Sequence, residues 1–295
     1  MRLGITGATG LIGGCVAALA RRRGHEVIGF TRRPEGRGAG WRRFTTAEAP
    51  DVSGCDAILN LAGETVIGLW TPAKVRAIKE SRVLGTRRIV EAIRSASPAP
   101  RVLVNSSGIG IYGNAGDQVT DEAAAHGTGY LAEVCEEWEA EALRAREAGA
   151  RVALLRTGMV LSREGGALGA MLPIFRLGLG GKLGNGRQWV SWIHIEDEVE
   201  LALATLLKEA YDGPVNATAP NPVRNAEFTK ALASRLHRPA FFAAPAFALR
   251  AVAGGFSAEL LESRRIVPAA AAKAGFAFRF PDIGEALDDL LKQPA

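Results

Sequence analysis

The residues whose types and spacing most directly suggest chemistry stand at the start of the chain, in Arg2-Leu-Gly-Ile-Thr-Gly-Ala-Thr-Gly-Leu-Ile-Gly13. An apolar run ends at Thr6, and Gly7, Gly10 and Gly13 then recur at every third position before a helix-forming stretch. The pattern predicts strand, tight turn and helix. Glycines in such a turn let an anion approach the backbone without meeting a Cβ, and the bare N–H groups of the helix start point towards it. The predicted chemistry is binding of a dinucleotide pyrophosphate, with Gly7, Thr9, Gly10, Leu11, Ile12 and Gly13 as the cradle.

Two more groups bear on the same site. A second apolar run, Glu26-Val-Ile-Gly-Phe30, ends at Thr31-Arg32-Arg33, where an NAD site would place a carboxylate on the ribose hydroxyls; none occurs before Glu35. A planar guanidinium suits a 2′-phosphate, so Thr31, Arg32 and Arg33 favour NADP (NADPH) over NAD; the alternative is that the arginines merely cap an exposed loop. Cys55-Asp-Ala-Ile-Leu-Asn-Leu-Ala-Gly63 closes on small residues. Ligands of doubly wound sheets lie beyond the carboxyl ends of the strands, which puts Leu61, Ala62, Gly63 and Glu64 beside the cofactor. Glu64 is then either a ligand contact or a solvated loop carboxylate.

The elements that must position these residues follow in order. A short strand is expected at Trp41–Phe44 and a long helix over 71–94, with Pro72 near its start. Arg101–Ser107 reads as a strand, Gly108–Gly116 as a glycine-rich loop, and Tyr130–Glu147 as a second long helix. Arg151–Leu161 is Val/Leu-rich, as parallel strands buried on both faces are. A glycine-rich segment, 165–186, is expected to form a mobile lid. Glu196–Glu209 reads as helix, Pro214–Thr218 as strand, 276–280 as an alternating edge strand, and 282–292 as an amphipathic helix. This alternation predicts an α/β, Rossmann-type doubly wound parallel sheet with a smaller, mainly helical C-terminal cap. The expected division is 1–164 as dinucleotide-binding domain, completed by about 188–220, with 165–187 and 221–295 as the cap.

Composition excludes several other classes. The chain has 295 residues and a net charge of +5, from 36 basic and 31 acidic residues that are scattered rather than gathered in a stripe, which argues against nucleic acid as the main partner. Cys15, Cys55 and Cys135 are widely spaced and odd in number, as expected of reduced cytoplasmic thiols, and show no metal-ligand spacing. The first strand is expected to begin at residue 2, so no signal peptide is expected. The apolar stretch 240–256 is broken by Pro245 and Arg250, so no membrane partner is expected.

With these residues in view, the chain resembles the extended short-chain dehydrogenase/reductases, the superfamily of NAD(P)-dependent epimerases and dehydratases, and within it a poorly characterised epimerase-like subgroup. The resemblance rests on Thr6-Gly-x-x-Gly-x-x-Gly13, Asn60-Leu-Ala-Gly-Glu64, Ser106-Ser107 with Tyr112-Gly113, and Arg156-Thr-Gly-Met-Val-Leu161. Leu131–Glu139, Gly184–Ile195 and Gly275-Phe-Ala-Phe278 match the subgroup. The resemblance implies a Tyr-x-x-x-Lys helix, in which the lysine lowers the tyrosine pKa, and a Ser or Thr four residues before the loop's Tyr-Gly. Tyr130 stands in the tyrosine position, but Val134 takes the lysine position and Gly108 the Ser/Thr position, with Ser107 adjacent. Tyr130 and Ser107 are therefore the catalytic candidates, and Tyr130 has the alternative of a packed helix-start aromatic. Met159 falls where the nicotinamide would lie.

Lesser candidates are His194, expected as a core histidine before a base, and Arg82, expected as a salt-bridge partner before a substrate clamp. The resemblance implies an NADP-dependent oxidoreductase or epimerase-like enzyme acting on a small carbonyl, alcohol or nucleotide sugar. The alternative is a non-catalytic NADP(H)-binding sensor or scaffold with a degenerate site. Superfamily members often dimerise through the two long helices, so a homodimer is expected.

Overall fold

A computed structural model describes residues 1–38 and 40–292; residues 293–295 of the expected cap lie outside the described residues. The chain begins β1 (Arg2–Thr6), α1 (Leu11–Arg22), β2 (Glu26–Thr31), β3 (Trp41–Arg43), β4 (Ala57–Asn60) and α2 (Pro72–Ser95). It continues through β5 (Val102–Gly108), β6 (Val119–Thr120), α3 (Tyr130–Leu143), β7 (Arg151–Thr157), β8 (Met159–Ser162), α4 (Gly166–Arg176) and β9 (Gly181–Leu183). Then come β10 (Trp189–Val190), β11 (Trp192–His194), α5 (Ile195–Leu207), β12 (Gly213–Ala217), β13 (Val223–Arg224) and α6 (Asn225–Arg235). The C-terminal region holds β14 (Phe242–Ala244), α7 (Ala246–Ala253), α8 (Ser257–Leu261), β15 (Arg265–Ile266), α9 (Ala269–Lys273) and α10 (Ile283–Leu291).

Seven strands form the main sheet in the order β12-β7-β5-β4-β1-β2-β3, every pair parallel. Side chains alternate between the two faces of a strand, and this alternation builds two cores. Leu3, Ile5, Leu59, Val104 and Leu155 pack with Val16, Leu201 and Leu203 of α1 and α5. Ile28, Phe30, Ile58, Leu103 and Leu154 pack with Ile89 and Ile93 of α2 on the other face. This is the doubly wound Rossmann arrangement, and its order reverses between β1 and β4, where such sheets bind ligands.

Tertiary structure corrects four sequence expectations. The run 151–161 breaks at Gly158: β7 stays in the main sheet, while β8 leaves to pair with β11. A Cβ at Gly158 would stand 2.7 Å from the Ser191 carbonyl oxygen and 2.9 Å from Thr218 Cγ2, so the crossing point admits only glycine. The expected lid is largely a packed helix, because Leu168, Leu172 and Phe175 recur at helical spacing and are buried beside Trp192 and Phe228. The second long helix tightens into a 3-10 turn at Arg144–Ala148. Residues 276–280 form no strand; the Asp197 carboxylate accepts the N–H groups of Arg279 (2.8 Å) and Phe280 (3.0 Å) that a neighbouring strand would have taken.

α2 and α3 lie side by side. Thr71 caps α2, accepting the Lys74 N–H at 3.2 Å, with Pro72 at the first helical position. Lys79–Glu137 (2.7 Å) and Arg87–Glu141 (2.5 Å) pair across the two helices. Among the described residues, no helix is long and apolar enough to cross a membrane.

Candidate functional site

The glycine turn is shaped as a cradle. Gly7 has φ +66°, and a Cβ there would stand 3.0 Å from the Leu61 carbonyl oxygen. A Cβ on Gly13 would stand 2.3 Å from the Gly7 oxygen, so the helix can lie this close to the turn only with glycine at 13. Gly10 donates its N–H to the Gly7 oxygen at 2.8 Å and caps α1 with no side chain. The first turn holds no acidic residue. Free N–H groups, the positive end of the helix dipole and exposed Thr9 and Gly10 therefore meet at one spot, with Leu11 and Ile12 half-buried behind them. The cradle fits a pyrophosphate.

A buried polar line fixes the strand ends beneath it. Thr6 Oγ1 donates to Asn60 Oδ1 at 2.6 Å and accepts the N–H groups of Leu61 and Ala62, each at 3.0 Å. Asn60 Nδ2 donates to Asn105 Oδ1 (2.7 Å) and Thr86 Oγ1 (2.8 Å), and Trp138 Nε1 also donates to Thr86 (2.7 Å). Sequence reasoning missed this set; its signal is a polar residue at the carboxyl end of each apolar strand. The line holds Leu61, Ala62 and Gly63 against the switch point. Glu64 turns its carboxylate to Lys74 Nζ at 2.6 Å, and its backbone oxygen accepts from Arg82 Nη1 at 2.9 Å.

Arg32 and Arg33 are exposed just beyond β2, and among the described residues neither forms an ion pair. Thr31 accepts the Arg33 N–H at 3.4 Å. Met159 opens β8 opposite Trp192.

Among the described residues the two catalytic candidates share no hydrogen bond, and each hydroxyl has a different partner. Ser107 Oγ donates to Glu139 Oε1 at 2.7 Å, and Glu139 holds Arg156 through two hydrogen bonds of 2.8 Å. Arg156 donates to the Tyr112 hydroxyl (2.8 Å), which donates to Asn216 Oδ1 (2.7 Å); Asn216 Nδ2 reaches the Val267 carbonyl (3.0 Å). Burial works against the Arg156 charge, but the hydrogen bonds and charge of Glu139, joined by Tyr112, raise its pKa. Ser107 thus meets α3 at Cys135 and Glu139, five and nine residues beyond Tyr130. Its hydroxyl serves a buried network.

Tyr130 opens α3. Its hydroxyl donates to the Val75 carbonyl, and its ring lies edge-on to Trp70 at 5.3 Å. Burial pushes its pKa up, and Arg82 and Lys79 pull in the opposite sense. Val134, in the lysine position, is fully buried. Arg82 corrects its sequence reading: among the described residues it pairs with no carboxylate, but donates to the Glu64 and Ile78 carbonyls and stacks over Trp138 at 5.1 Å. His194 is the core histidine expected. It accepts the Glu196 N–H at 3.1 Å, packs on Phe280 at 3.9 Å, and burial lowers its pKa to about 4.

Beside Tyr130 a cavity of about 360 Å³ opens between the end of the sheet and α8. Trp70, Val75, Tyr130, Leu131, Ala258 and Arg264 are among its walls. Among the described residues no group of three or more His, Cys, Asp or Glu is placed to hold a metal ion.

Glu198 of α5 is a buried carboxyl group that meets Thr157 at the carboxyl end of β7. It is fully buried, accepts one bond from Thr157 Oγ1 at 3.0 Å, and leaves Oε2 unpartnered. Burial pushes its pKa up to about 8, with the Thr157 bond opposing. The folded state therefore keeps its proton while the unfolded chain loses it, so Glu198 favours folding fully below pH 4.5, and this contribution is lost as pH rises to about 8. Glu198→Gln keeps the acceptor and removes the titration. Thermal melts should show equal stability near pH 4 and a higher Tm for the variant at pH 8. An unchanged pH slope would refute the assignment.

The fold and cradle define a Rossmann nucleotide-binding protein of the oxidoreductase/epimerase class. The NAD dependent epimerase/dehydratase family matches residues 3–217, and a domain of unknown function, DUF1731, matches residues 244–290. The chain belongs to that epimerase/dehydratase family. It is 40% identical over 299 residues to the epimerase family protein ML0860 of Mycobacterium leprae, covering 99% of this chain and 96% of that one. The crystal structure of human epimerase family protein SDR39U1 (isoform 2) with NADPH superposes with a TM-score of 0.89 at 32% identity, covering 98% of this chain and 99% of that one. A nucleoside-diphosphate sugar epimerase from Corynebacterium glutamicum follows at TM-score 0.82 and 34% identity, covering 99% of this chain and 58% of that chain.

Proposed function

We propose that the protein is an NADP(H)-dependent oxidoreductase or epimerase-like enzyme whose substrate, a small carbonyl, alcohol or nucleotide sugar, enters the Tyr130 cavity. The observation that carries this reading is the uncapped glycine cradle at the switch point, with two exposed arginines at the end of the adjoining strand. The human relative crystallised with NADPH supports the phosphorylated coenzyme. Gly7, Thr9, Gly10, Leu11, Ile12 and Gly13 hold the pyrophosphate; Thr31, Arg32 and Arg33 hold the 2′-phosphate; Leu61 to Glu64 and Met159 flank the rest. Residues 1–164 with 188–220 form the coenzyme half, and 165–187 with 221–295 close the substrate side.

Bound there, NADP(H) supplies or takes up a hydride. Tyr130 stays protonated at neutral pH, because burial adds to an ordinary tyrosine pKa of about 10. Its hydroxyl leaves the Val75 carbonyl to donate a hydrogen bond, and then a proton, to a substrate oxygen. Arg82 and Lys79 supply part of the positive field that a lysine at position 134 would give, and burial outweighs it. Ser107 contributes through the Glu139–Arg156 network rather than by touching substrate.

Fluorescence titration tests the coenzyme. Wild type should bind NADPH more tightly than NADH. Arg32→Ala with Arg33→Ala should weaken NADPH about 10–100-fold, the worth of one or two charge-assisted contacts, and leave NADH nearly unchanged. Equal loss for both coenzymes would refute the 2′-phosphate role. Tyr130→Phe should lower kcat at least about 100-fold, the lower end of the range for a lost general acid, with NADPH affinity unchanged. Tight NADPH binding with no turnover, and no effect of Tyr130→Phe, would point instead to a sensor; the locked Ser107 and Val134 favour that second reading.

A further inference from the structure

The walls of the Tyr130 cavity narrow the substrate. Trp70, Val75, Leu131, Ala132 and Ala258 present apolar surface, and Trp70 continues into an aromatic cluster with Phe256 at 6.3 Å. Among the described residues lining it, Arg264 is the one cation, and its donors are already committed. Nη1 and Nη2 each meet the Glu259 carboxylate at 2.9 Å, Nη2 also meets Glu262, and Nε donates to the Gly113 carbonyl at 2.9 Å. Glu259 balances the guanidinium, so Glu262 makes the wall negative when ionised and neutral when protonated, never positive. A diphosphate would have to break a buried ion pair and sit against two carboxylates.

Neighbouring cations give no relief. Lys74 pairs with Glu64, Lys79 with Glu137, and Arg82 is buried against carbonyls and Trp138. At about 360 Å³ the cavity lies near the lower end of the roughly 300–1,000 Å³ usual for ligand sites. The adjoining chain is apolar too: Gly255 of the wall is closed onto the Trp70 ring, and its neighbour Gly254 lies beside Leu69, which is 61% exposed.

Resting on the reading above, we infer that the substrate is a small, uncharged carbonyl or alcohol with an aromatic or apolar body, and not a nucleotide sugar. Its oxygen faces the Tyr130 hydroxyl and its body packs on Trp70, Leu131 and Ala258. In reduction, hydride from NADPH adds to the carbonyl carbon and a proton reaches the oxygen through Tyr130, giving an alcohol and NADP.

The test uses the full chain saturated with NADPH. Benzaldehyde and acetophenone are offered as substrates, benzyl alcohol as a non-reducible ligand, and UDP and UDP-glucose as the alternative. Loss of reduced-nicotinamide absorbance reads turnover, and the Tm of the NADPH complex reads binding. The aromatic compounds should be turned over or raise the Tm, and UDP and UDP-glucose should do neither. Ala258→Phe, at an exposed wall position, should weaken the aromatic response at least about tenfold, as filling a hydrophobic pocket does, with NADPH affinity held within about twofold. Tm shifts with UDP-glucose, no response to any aromatic compound, or an aromatic response that Ala258→Phe leaves intact would each overturn the inference. Failure to bind NADPH would instead defeat the coenzyme reading.

Discussion

Arg156→Met is expected to destabilise the protein by about 3–5 kcal/mol, the cost of leaving one member of a buried ion pair without its partner. The side chains of Arg156 and Glu139 are 4% and 5% exposed, so solvent screens the pair little. Without the guanidinium, Glu139 keeps only the Ser107 hydroxyl, and the Tyr112 hydroxyl loses a donor. Urea denaturation with an unchanged m-value would measure the loss. Combining it with Glu139→Gln should recover part of the loss, because no unpaired charge then remains inside. Strictly additive destabilisation would show that the two residues act separately. The network also anchors the C-terminal region through Asn216 and Val267, so the single variant should be cut faster by protease beyond residue 267.

Gly13→Ala is expected to weaken NADPH binding at least about 100-fold, or about 2.7 kcal/mol. The three atoms a new Cβ would meet, at 2.3, 2.8 and 3.1 Å, all belong to the backbone of Gly7 and Ala8. No side chain can rotate away, so the turn itself must open, and overpacking of this kind costs a further ~1–3 kcal/mol of stability. Gly14→Ala is the control. Its Cβ would lie 3.6 Å from the Ala8 oxygen, in ordinary contact, and the change should improve helix propensity by up to about 1 kcal/mol. Fluorescence titration and thermal melts on the pair separate a cradle from a generic helix start. Equal tolerance of alanine at 13 and 14 would mean that the close approach has no role in binding.

Much of the fold, with the shape of the glycine turn, was legible in the residues themselves. The run ending at Thr6, the glycine spacing and the second run ending at Thr31 are local patterns, and local patterns carry helix and strand periods and turns. The same holds for Pro72 at the start of α2 and for the burial of His194 among apolar neighbours. The lid failed because its glycines masked the Leu168–Leu172–Phe175 stripe. Residues 276–280 failed because alternation alone cannot say what will accept the backbone N–H groups.

By itself, the sequence determined the strand–helix alternation of the Rossmann half, the glycine turn and the lack of a carboxylate between β2 and Glu35. Tertiary structure decided which face each candidate met. Ser107 was captured by Glu139, thirty-two residues away along the chain. Tyr130 was set on the Val75 carbonyl, and Arg264 reached back across the fold to the Gly113 carbonyl and completed a cavity wall. Turns and periods depend on neighbours within a few residues, whereas ion pairs, orphaned carboxylates and cavities depend on side chains that only a packed interior brings together.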